Sequence, residues 1–593
     1  MIGLRAILRG VVVAGHLGWI AAASAQLPGP LVASAAAKDM QAWCDSTLRI
    51  AAGTTARSTV VAALSDLVIS AHPAAAVRDA AVACDKAAAS ADARRRPAQE
   101  RVLLEQIARE WRQFERSLVE TQPTVTFARK YIDGAPEWLL ASKPRTPSGE
   151  IRVGVGPGDY FTFMRSVSSE PARRRMYLAY TNRGSEANLA RLQSLAQRRY
   201  ELAKLRGAEA FYDVQSRATD MPALDHVHRF LDAVERQLKP TLTEDLAFLQ
   251  RMQPGRPLHR WDVPYQLERA RERAIGLSDY DETSLIPAKS AVAWALAYFS
   301  RLTGVVLSDA GVLPWHPSVR CLRVADGTTA RGLLCLDLYP RAGKYYNDAT
   351  YAMPSTVSSD TTAVVLGNFS DPLSPDEVER LFGETAVALA TLLCGDDCAE
   401  RIAILPVRTA TTRAFFNAMA FAEESVQVLR SVDAAAVPPP PVLRAVRLNR
   451  HFAASLALSR QAQIARFDLD LHAAKPPRDV MAAWRTREMQ TPLGHEPGTR
   501  QPARLNTVAG PTAGTLSVGL WTDALAMRFQ SLAPCVLCSE HKSDVVAMFF
   551  PRDGAPPFPV SSGQRAGDVP VELARILVAV AKDYRIDQAR EAK

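Results

Sequence analysis

The chain contains 593 residues, of which 48% are hydrophobic and 22% are charged, an ordinary globular composition for a length well above one small domain. Its formal net charge of +9 is mild for this length, and no basic motif with interleaved aromatic residues accompanies it, so nucleic acid is not an expected partner. Two short basic runs, at 94–96 and 173–175, are typical of solvated helix faces.

The N-terminus has the three parts of an export signal. Arg5 and Arg9 form a basic start, an apolar stretch follows at 11–22, and small residues at 23–25 form a cleavage site. We therefore predict that residues 1–25 are a signal peptide and that the protein is exported, to a bacterial periplasm. An uncleaved anchor is the alternative, but the apolar run is shorter than the roughly 18–20 residues that a span needs. No later segment is apolar enough, so no membrane span is expected after cleavage.

Helical periodicity extends through most of the chain. Apolar residues recur three or four positions apart, for example at Leu189, Leu192, Leu195, Leu202 and Leu205. This spacing places them on one face of a helix, so we predict a mainly α-helical protein.

Strand patterns are confined to about 318–340 and 361–368. The segments 319–324 and 333–338 flank the pair Asp326-Gly327, which is a hairpin signal between two apolar runs. The sequence therefore predicts a small sheet within a helical protein, and its hairpin places Cys321 and Cys335 on facing strands.

A helix is predicted to begin directly after the sheet. Ser374 and Glu377 form a capping box, and Pro375 stands at the first helical position between them. The helix continues through the segment LFGETAVALATLL at 381–393.

This segment resembles the zinc helix of the thimet-oligopeptidase and oligopeptidase A family of zinc metallopeptidases, in which the pattern is LFHEFGHALHxLL. Residues i and i+4 share a helix face, so the two histidines of that pattern grip one ion. Here Gly383 and Val387 stand at the histidine positions, and neither side chain is able to bind zinc. Glu384 remains, as the remnant of the general base, and we expect it to be a hydrogen-bonded residue rather than a base. No metal ligand is predicted.

Other parts of the family's site are also missing. The resemblance implies a third, acidic ligand near 407–413, yet no acidic residue lies between Glu400 and Glu423. The family carries tyrosines and a histidine before a Leu-Trp pair, whereas the corresponding segment, 507–521, contains neither. Separate losses around one site argue against a misaligned motif.

Further blocks resemble the family in the same order and extend the resemblance over roughly 125–530. They are YTNRGSEAN at 180–188, Trp261-Asp262 with Tyr265, Trp315-His316, LDLYPRAGKY at 336–345, and the segment 460–472. His316 and His472 lie in these blocks but in neither ligand position, so we expect both to be structural.

The block at 336–345 is similar to the family element that lies alongside substrate. Its resemblance makes Leu336, Asp337, Arg341 and Lys344 candidate substrate-binding residues, and a free strand edge there would pair with a peptide backbone. The alternative is that the three charged residues only form a framework ion pair.

The family consists of two helical halves around a deep channel. We therefore predict a mainly α fold, with two helical halves around a deep channel and a small β-sheet beside the degenerate zinc helix. The predicted organisation is a signal peptide at 1–25, an N-terminal helical region at 26–150, a metallopeptidase-like helical domain at 151–530 with its sheet at about 318–368, and a divergent C-terminal segment at 531–593.

Eight cysteines fit an exported protein, because an even number is able to pair fully. They form four local couples: Cys44/Cys84, Cys321/Cys335, Cys394/Cys398 and Cys535/Cys538. The first two couples are predicted to be disulfides. The last two pair either within themselves or with each other, and a redox role for the Cys535-Val536-Leu537-Cys538 motif, or a metal site that adds His541, is the minor alternative.

These observations predict an exported pseudopeptidase that binds oligopeptides or an exported protein partner, without zinc hydrolysis and without a cofactor. The alternative is an active metallopeptidase that hydrolyses oligopeptides through unrecognised ligands, in which case zinc is its cofactor. A third hypothesis is a redox protein that works through its cysteine couples.

Overall fold

The computed structural model describes residues 97–120, 123–217, 219–275, 286–311, 316–341, 349–353, 362–394, 406–552 and 569–584. The predicted signal peptide, the basic run at 94–96, Cys44, Cys84, Trp315, Lys344 and Cys398 lie outside these residues. Within the described ranges, every helix is too short or too polar to cross a membrane.

Helices make up most of the described chain. In chain order they are α1 (Ala98–Glu120), α2 (Glu137–Ala141), α3 (Pro157–Ser166), α4 (Glu170–Thr181), α5 (Ser185–Leu205), α6 (Phe211–Ser216), α7 (Leu224–Arg251), α8 (Val263–Ile275), α9 (Ala288–Thr303), α10 (Pro375–Leu393), α11 (Pro406–Met419), α12 (Glu423–Val432), α13 (Pro440–Asn449), α14 (Ala454–Leu471), α15 (Val480–Met489), α16 (Asn506–Ala509), α17 (Leu516–Leu532), α18 (Ser539–Phe549) and α19 (Val569–Asp583). Short 3₁₀ turns lie at Arg129–Tyr131, Ala434–Ala436 and Gln501–Arg504.

The strands form two sheets. They are β1 (Thr124–Phe127), β2 (Ile151–Gly154), β3 (Val306–Asp309), β4 (Arg320–Asp326), β5 (Thr329–Asp337), β6 (Ala349–Met353) and β7 (Thr362–Leu366). β1 and β2 pair antiparallel, and the other strands form a five-stranded sheet in the order β3-β4-β5-β7-β6, in which β5 and β7 run parallel. The mainly helical fold with a small sheet is therefore confirmed.

The predicted hairpin is confirmed, but the predicted extent of strand is wrong. β4 and β5 flank the turn at Gly327, and Cys321 lies opposite Cys335 in the ladder. β1, β2, β3 and β6 all lie outside the predicted strand ranges. Each has only four or five residues, which is too few for an alternating pattern to stand out, and their pairing depends on partners distant in sequence.

The degenerate helix α10 begins as its capping box predicts. The Ser374 hydroxyl accepts the N–H of Glu377, whose carboxylate in turn accepts the N–H of Ser374 at 2.8 Å. From Leu381 to Leu393 every residue of the helix is buried. A helix that is buried on all sides needs neighbours all around. The sheet packs on α10 through β5, β6 and β7, and α9 and α11 pack against its other sides.

One basic run departs from its prediction. Arg173 was expected on a solvated face, yet its guanidinium nitrogen lies 2.6 Å from a carboxylate oxygen of Asp262, and both side chains are almost completely buried. Arg256 also donates to Asp262, at 2.7 Å. The prediction for 173–175 is thus wrong for Arg173, because a tertiary partner 89 residues away neutralises its charge.

Candidate functional site

The candidate site is built where α10 and α11 cross. Gly383 lies at the contact, and a β-carbon at this position would be 2.0 Å from the side-chain amide of Asn417 and 2.8 Å from the backbone carbonyl of Arg413. Contacts below 3.0 Å require one of the two helices to shift. The absence of a side chain at Gly383 is therefore what allows the close approach of α11.

Glu384 faces the same helix and is held by two neighbours. The Arg413 guanidinium donates from Nε to one carboxylate oxygen at 2.6 Å and from Nη2 to the other at 3.3 Å. The Thr350 hydroxyl on β6 donates to the Glu384 carboxylate at 2.6 Å. The Glu384 side chain is only 5% exposed, so Arg413 balances a carboxylate that is nearly removed from water.

Arg413 lies in the segment in which the resemblance implies a third, acidic zinc ligand. The sequence shows that this segment holds no acidic residue, but it does not show that Arg413 pairs with Glu384. The signal was present in the sequence, since Arg413 ends the 407–413 segment. Its significance required knowing that α11 packs against α10 at Gly383.

The donor set does not fit a zinc ion. Gly383 offers no side chain, Val387 is apolar and buried, and a cation already bonds to Glu384. Zinc in peptidases is held by three nitrogen or oxygen ligands with an open position for water, and here none of the three is in place. Across the described ranges, His, Cys, Asp and Glu side chains nowhere gather in a group of three able to hold a metal ion.

A second ion pair extends along the same face of α10. Glu379, one turn before Gly383, lies 2.6 Å from Arg450, which also donates to the Asn417 carbonyl at 3.0 Å. Burial raises the pKa of Glu379 to about 7, although Arg450 opposes that change. With its nitrogen turned toward α10, the Asn417 amide donates to the Glu379 carbonyl at 2.8 Å. The contact between α10 and α11 is thus polar on both sides of Gly383.

The candidate substrate-binding residues lie on an internal strand. β5 pairs with β4 on one side and β7 on the other, so the expectation of a free peptide-pairing edge there is wrong. Leu336 and Asp337 are buried, and Asp337 accepts both Arg341 Nη1, at 2.5 Å, and Arg341 Nη2, at 2.8 Å. This bidentate pair is the framework arrangement given as the alternative. Lys344 lies outside the described residues.

The segment 507–521, which contains no tyrosine, is held by buried hydrogen bonds. Arg199 is buried and donates to the carbonyls of Val508, at 3.2 Å, and Gly510, at 2.8 Å. Asp468 accepts the N–H of Gly514 at 2.8 Å and also faces His472. Burial lowers the pKa of Arg199 to about 10. His472 thus lies inside a buried network, whereas the His316 bond found among the described residues is to its neighbour Ser318.

The described cysteines are in disulfides. Cys321 and Cys335 bond across β4 and β5, as predicted. Cys535 bonds to Cys538, which resolves the open pairing in favour of a local disulfide and leaves neither thiol for a metal site with His541. Cys394 is also disulfide-bonded, to a partner outside the described residues.

Residues 163–527 match Peptidase family M3, so the chain belongs to this family. It is 24% identical to Oligopeptidase A of Escherichia coli over 67% of this chain and 64% of that protein. It is 31% identical to the mitochondrial intermediate peptidase of Aspergillus oryzae over 32% of this chain and 25% of that protein. The chain thus spans less than two thirds of these relatives.

Solved structures of similar architecture include oligoendopeptidase F from Enterococcus faecium. It aligns with 94% of this chain and 93% of its own, at 12% identity and a TM-score of 0.46.

Proposed function

We propose that this member of Peptidase family M3 binds oligopeptides and does not hydrolyse them with zinc. The observation that carries the proposal is the Arg413–Glu384 ion pair beside Gly383. A metallopeptidase needs its ion to lower the pKa of water from about 15.7 to about 7 before a glutamate takes the proton. Here the Arg413 guanidinium bonds to both carboxylate oxygens of the glutamate. The contact between α10 and α11 leaves no room for a ligand side chain at 383.

Peptide binding is proposed at the edge of β6. This strand is the last of the described five-stranded sheet, and β7 takes only one of its sides. Thr350 ties β6 to Glu384, so a peptide added to this edge would lie beside the degenerate helix. Backbone pairing at a sheet edge needs no catalytic group and tolerates many sequences. The affinity is expected to be modest, roughly micromolar to millimolar.

The family resemblance supports the same location. It implies a channel between two helical halves, and the names of the relatives, oligopeptidase and intermediate peptidase, describe proteins that act on peptides. An exported protein partner that presents an extended segment would use the same strand edge.

Export is part of the proposal. The signal-like residues 1–25 motivate it, and the Cys321–Cys335 disulfide supports it, because disulfides persist in oxidising compartments. Mass spectrometry of protein from the periplasmic fraction should find a mature N-terminus near Gln26. A chain that retains residue 1 and stays in the cytosol would overturn this part of the proposal.

The proposal is tested by measuring hydrolysis and binding on the same peptides. A library of extended peptides should bind by calorimetry and be recovered intact after long incubation with zinc. Versions methylated on alternate backbone nitrogens should lose binding, because they cannot donate to a strand edge. Zinc-dependent cleavage would favour the alternative, an active metallopeptidase. Binding that is indifferent to backbone methylation would remove the β6 edge as the site.

A further inference from the structure

Three arginines, one of them on α14, lie near one another, and within the described residues none of them forms a salt bridge. We call Arg260, Arg460 and Arg504 the arginine cluster. Arg460 donates to the side-chain oxygens of Gln463, at 3.0 Å, and Gln501, at 3.4 Å. Arg504 donates to the same oxygen of Gln501 at 2.9 Å. All of these acceptors are neutral.

Arg260 completes the cluster from the residues just before α8. It donates to the Gly494 carbonyl from Nε at 3.0 Å and to the Thr491 hydroxyl at 2.8 Å, both again neutral. Burial, and then the charges of Arg504 and Arg260, lower the pKa of Arg460 to about 10. Arg460 and Arg504 share the side-chain oxygen of Gln501, and Arg260 is close enough for its charge to act on Arg460.

Other buried arginines of this protein are paired differently. Arg173 bonds to Asp262, and Arg271 bonds to Glu268, in each case with both side chains almost completely buried. Buried charges are normally compensated in this way, since an uncompensated buried charge costs several kcal/mol. Within the described residues, the arginine cluster differs from these two arginines in having no salt bridge to a carboxylate. Buried Arg199, which donates to backbone carbonyls, is likewise without one.

Two buried side chains that contact Arg460 each carry a polar atom without a hydrogen-bond partner among the described residues. Its guanidinium lies over the ring of Trp484, 5.1 Å from the ring centroid. Among the described residues, the Trp484 indole N–H and the Gln463 amide nitrogen find no hydrogen-bond partner, although these side chains are 0% and 6% exposed. Both atoms are donors.

The acidic residue beside the cluster is Glu488. It is fully buried, and His495 contacts one of its carboxylate oxygens at 2.6 Å, while the other has no hydrogen-bond partner in the part of the chain that the structure describes. Glu488 favours the charged form of Arg460 without forming a salt bridge to it. One carboxylate against three guanidinium groups leaves the cluster with an excess of positive charge.

We propose that the arginine cluster binds an oxyanion, the carboxylate or phosphate group of a small ligand or peptide. The planar fork of a guanidinium matches both groups, and bidentate pairing gives them their strongest hydrogen bonds. Arg260, Arg460 and Arg504 are each partly exposed as whole residues. The site shares no residue with the Glu384 site, and the inference does not depend on the proposed function.

The test is anion binding to the full-length protein and its variants. Calorimetry at about physiological salt with N-acetylglutamate and with inorganic phosphate should give saturable binding with a Kd below about 1 mM for one of them. Arg504→Gln should weaken that binding at least about ten-fold, since one fork of the site is lost. Arg504→Lys should not restore it, because lysine keeps the charge but not the fork.

Arg430→Gln is the matched control. Arg430 is exposed and donates to the neutral side chain of Gln427, so the substitution makes the same change in net charge elsewhere. The Kd of the Arg430→Gln variant for each anion should equal that of the unmodified protein. Tighter binding of N-acetylglutamate would assign a carboxylate ligand, and tighter binding of phosphate a phosphorylated one.

A second measurement does not depend on the arginine variants. Anion binding should change tryptophan fluorescence, and Trp484→Phe should remove the change because that ring lies beneath Arg460. Absence of saturable binding of either anion to the unmodified protein would overturn the proposal. Equal weakening by Arg504→Gln and Arg430→Gln would also overturn it, since the effect would then be one of net charge.

Discussion

At the scale of single residues, the size of Gly383 decides how α10 and α11 pack. The backbone carbonyl of Arg413 lies 2.8 Å from the place of a β-carbon, and a backbone atom cannot turn away as a side chain can. A histidine at 383 would therefore have to displace α11 before it could reach any ion. The missing ligand and the close helix contact are the same structural feature.

Gly383→Ala should destabilise the protein by about 1–3 kcal/mol, because it overpacks the contact between two helices. Gly519→Ala is the control. Gly519 also lies inside a helix, α17, but its β-carbon would meet nothing within 4 Å. There the substitution should stabilise by about 0.5–1 kcal/mol, the usual gain from replacing a helical glycine. Urea unfolding measures the change in the free energy of unfolding for both variants. Equal changes would contradict the packing argument.

Arg413→Met should destabilise the protein by about 3 kcal/mol at neutral pH, because it leaves the Glu384 carboxylate buried without a counter-charge. Adding Glu384→Gln to that variant should recover much of the loss. The coupling energy of the double-mutant cycle should be on the order of 2 kcal/mol. Additive losses in urea unfolding would mean that the ion pair does not hold this site together.

The losses at 383, 387 and 507–521 could all be seen in the sequence, because a motif has fixed spacing. The pairing of Arg413 with Glu384 could not be seen, since the two residues meet only through the packing of two helices. Arg173 illustrates the same limit. Its neighbours in sequence suggest a solvated face, and only the fold brings Asp262 to it.

At the scale of elements, long periodic helices and the hairpin were predictable, whereas short strands and sheet order were not. The capping box defined the start of α10, and the turn at Gly327 joins β4 to β5. A register shift between Val324 and Ala325 then places Cys321 opposite Cys335. Nothing local shows that β7 pairs in parallel with β5 and makes it internal. That pairing moves the free edge of the sheet from the predicted strand to β6.

The Cys321–Cys335 disulfide should contribute more stability than Cys535–Cys538. The two cysteines of each bond are separated by 14 and by 3 positions in sequence. The entropy of loop closure corresponds to about 3 kcal/mol for the longer loop and about 2 kcal/mol for the shorter. Double alanine variants of each pair should show this order in their urea midpoints. The reverse order would indicate that the short disulfide holds α18 in place by other means.

At the scale of the whole molecule, buried charges link stability to pH. Burial alone would raise the pKa of Asp262, but hydrogen bonds from Arg256 and Arg173 outweigh it and lower this pKa to about 2. The unfolded value is 3.8, so the folded state favours the ionised carboxylate. Its contribution to stability is complete above the unfolded pKa and is lost as the pH falls through the folded one.

We expect Asp262 to account for on the order of 2 kcal/mol of the stability lost between pH 5 and pH 2. Asp262→Asn should be less stable than the unmodified protein at pH 6, because Arg173 then lacks its charged partner. The difference between the two proteins should shrink toward pH 2. A constant difference in urea unfolding across this range would contradict the assignment.

The central claim is that an arginine has taken the place of the metal in this family member. Elemental analysis of the untagged protein, incubated with zinc and then desalted, tests it most directly. We expect well below about 0.1 zinc per chain, since the site offers no complete ligand set. About one zinc per chain that is lost on Glu384→Gln would contradict the claim, because zinc would then be bound at the degenerate helix.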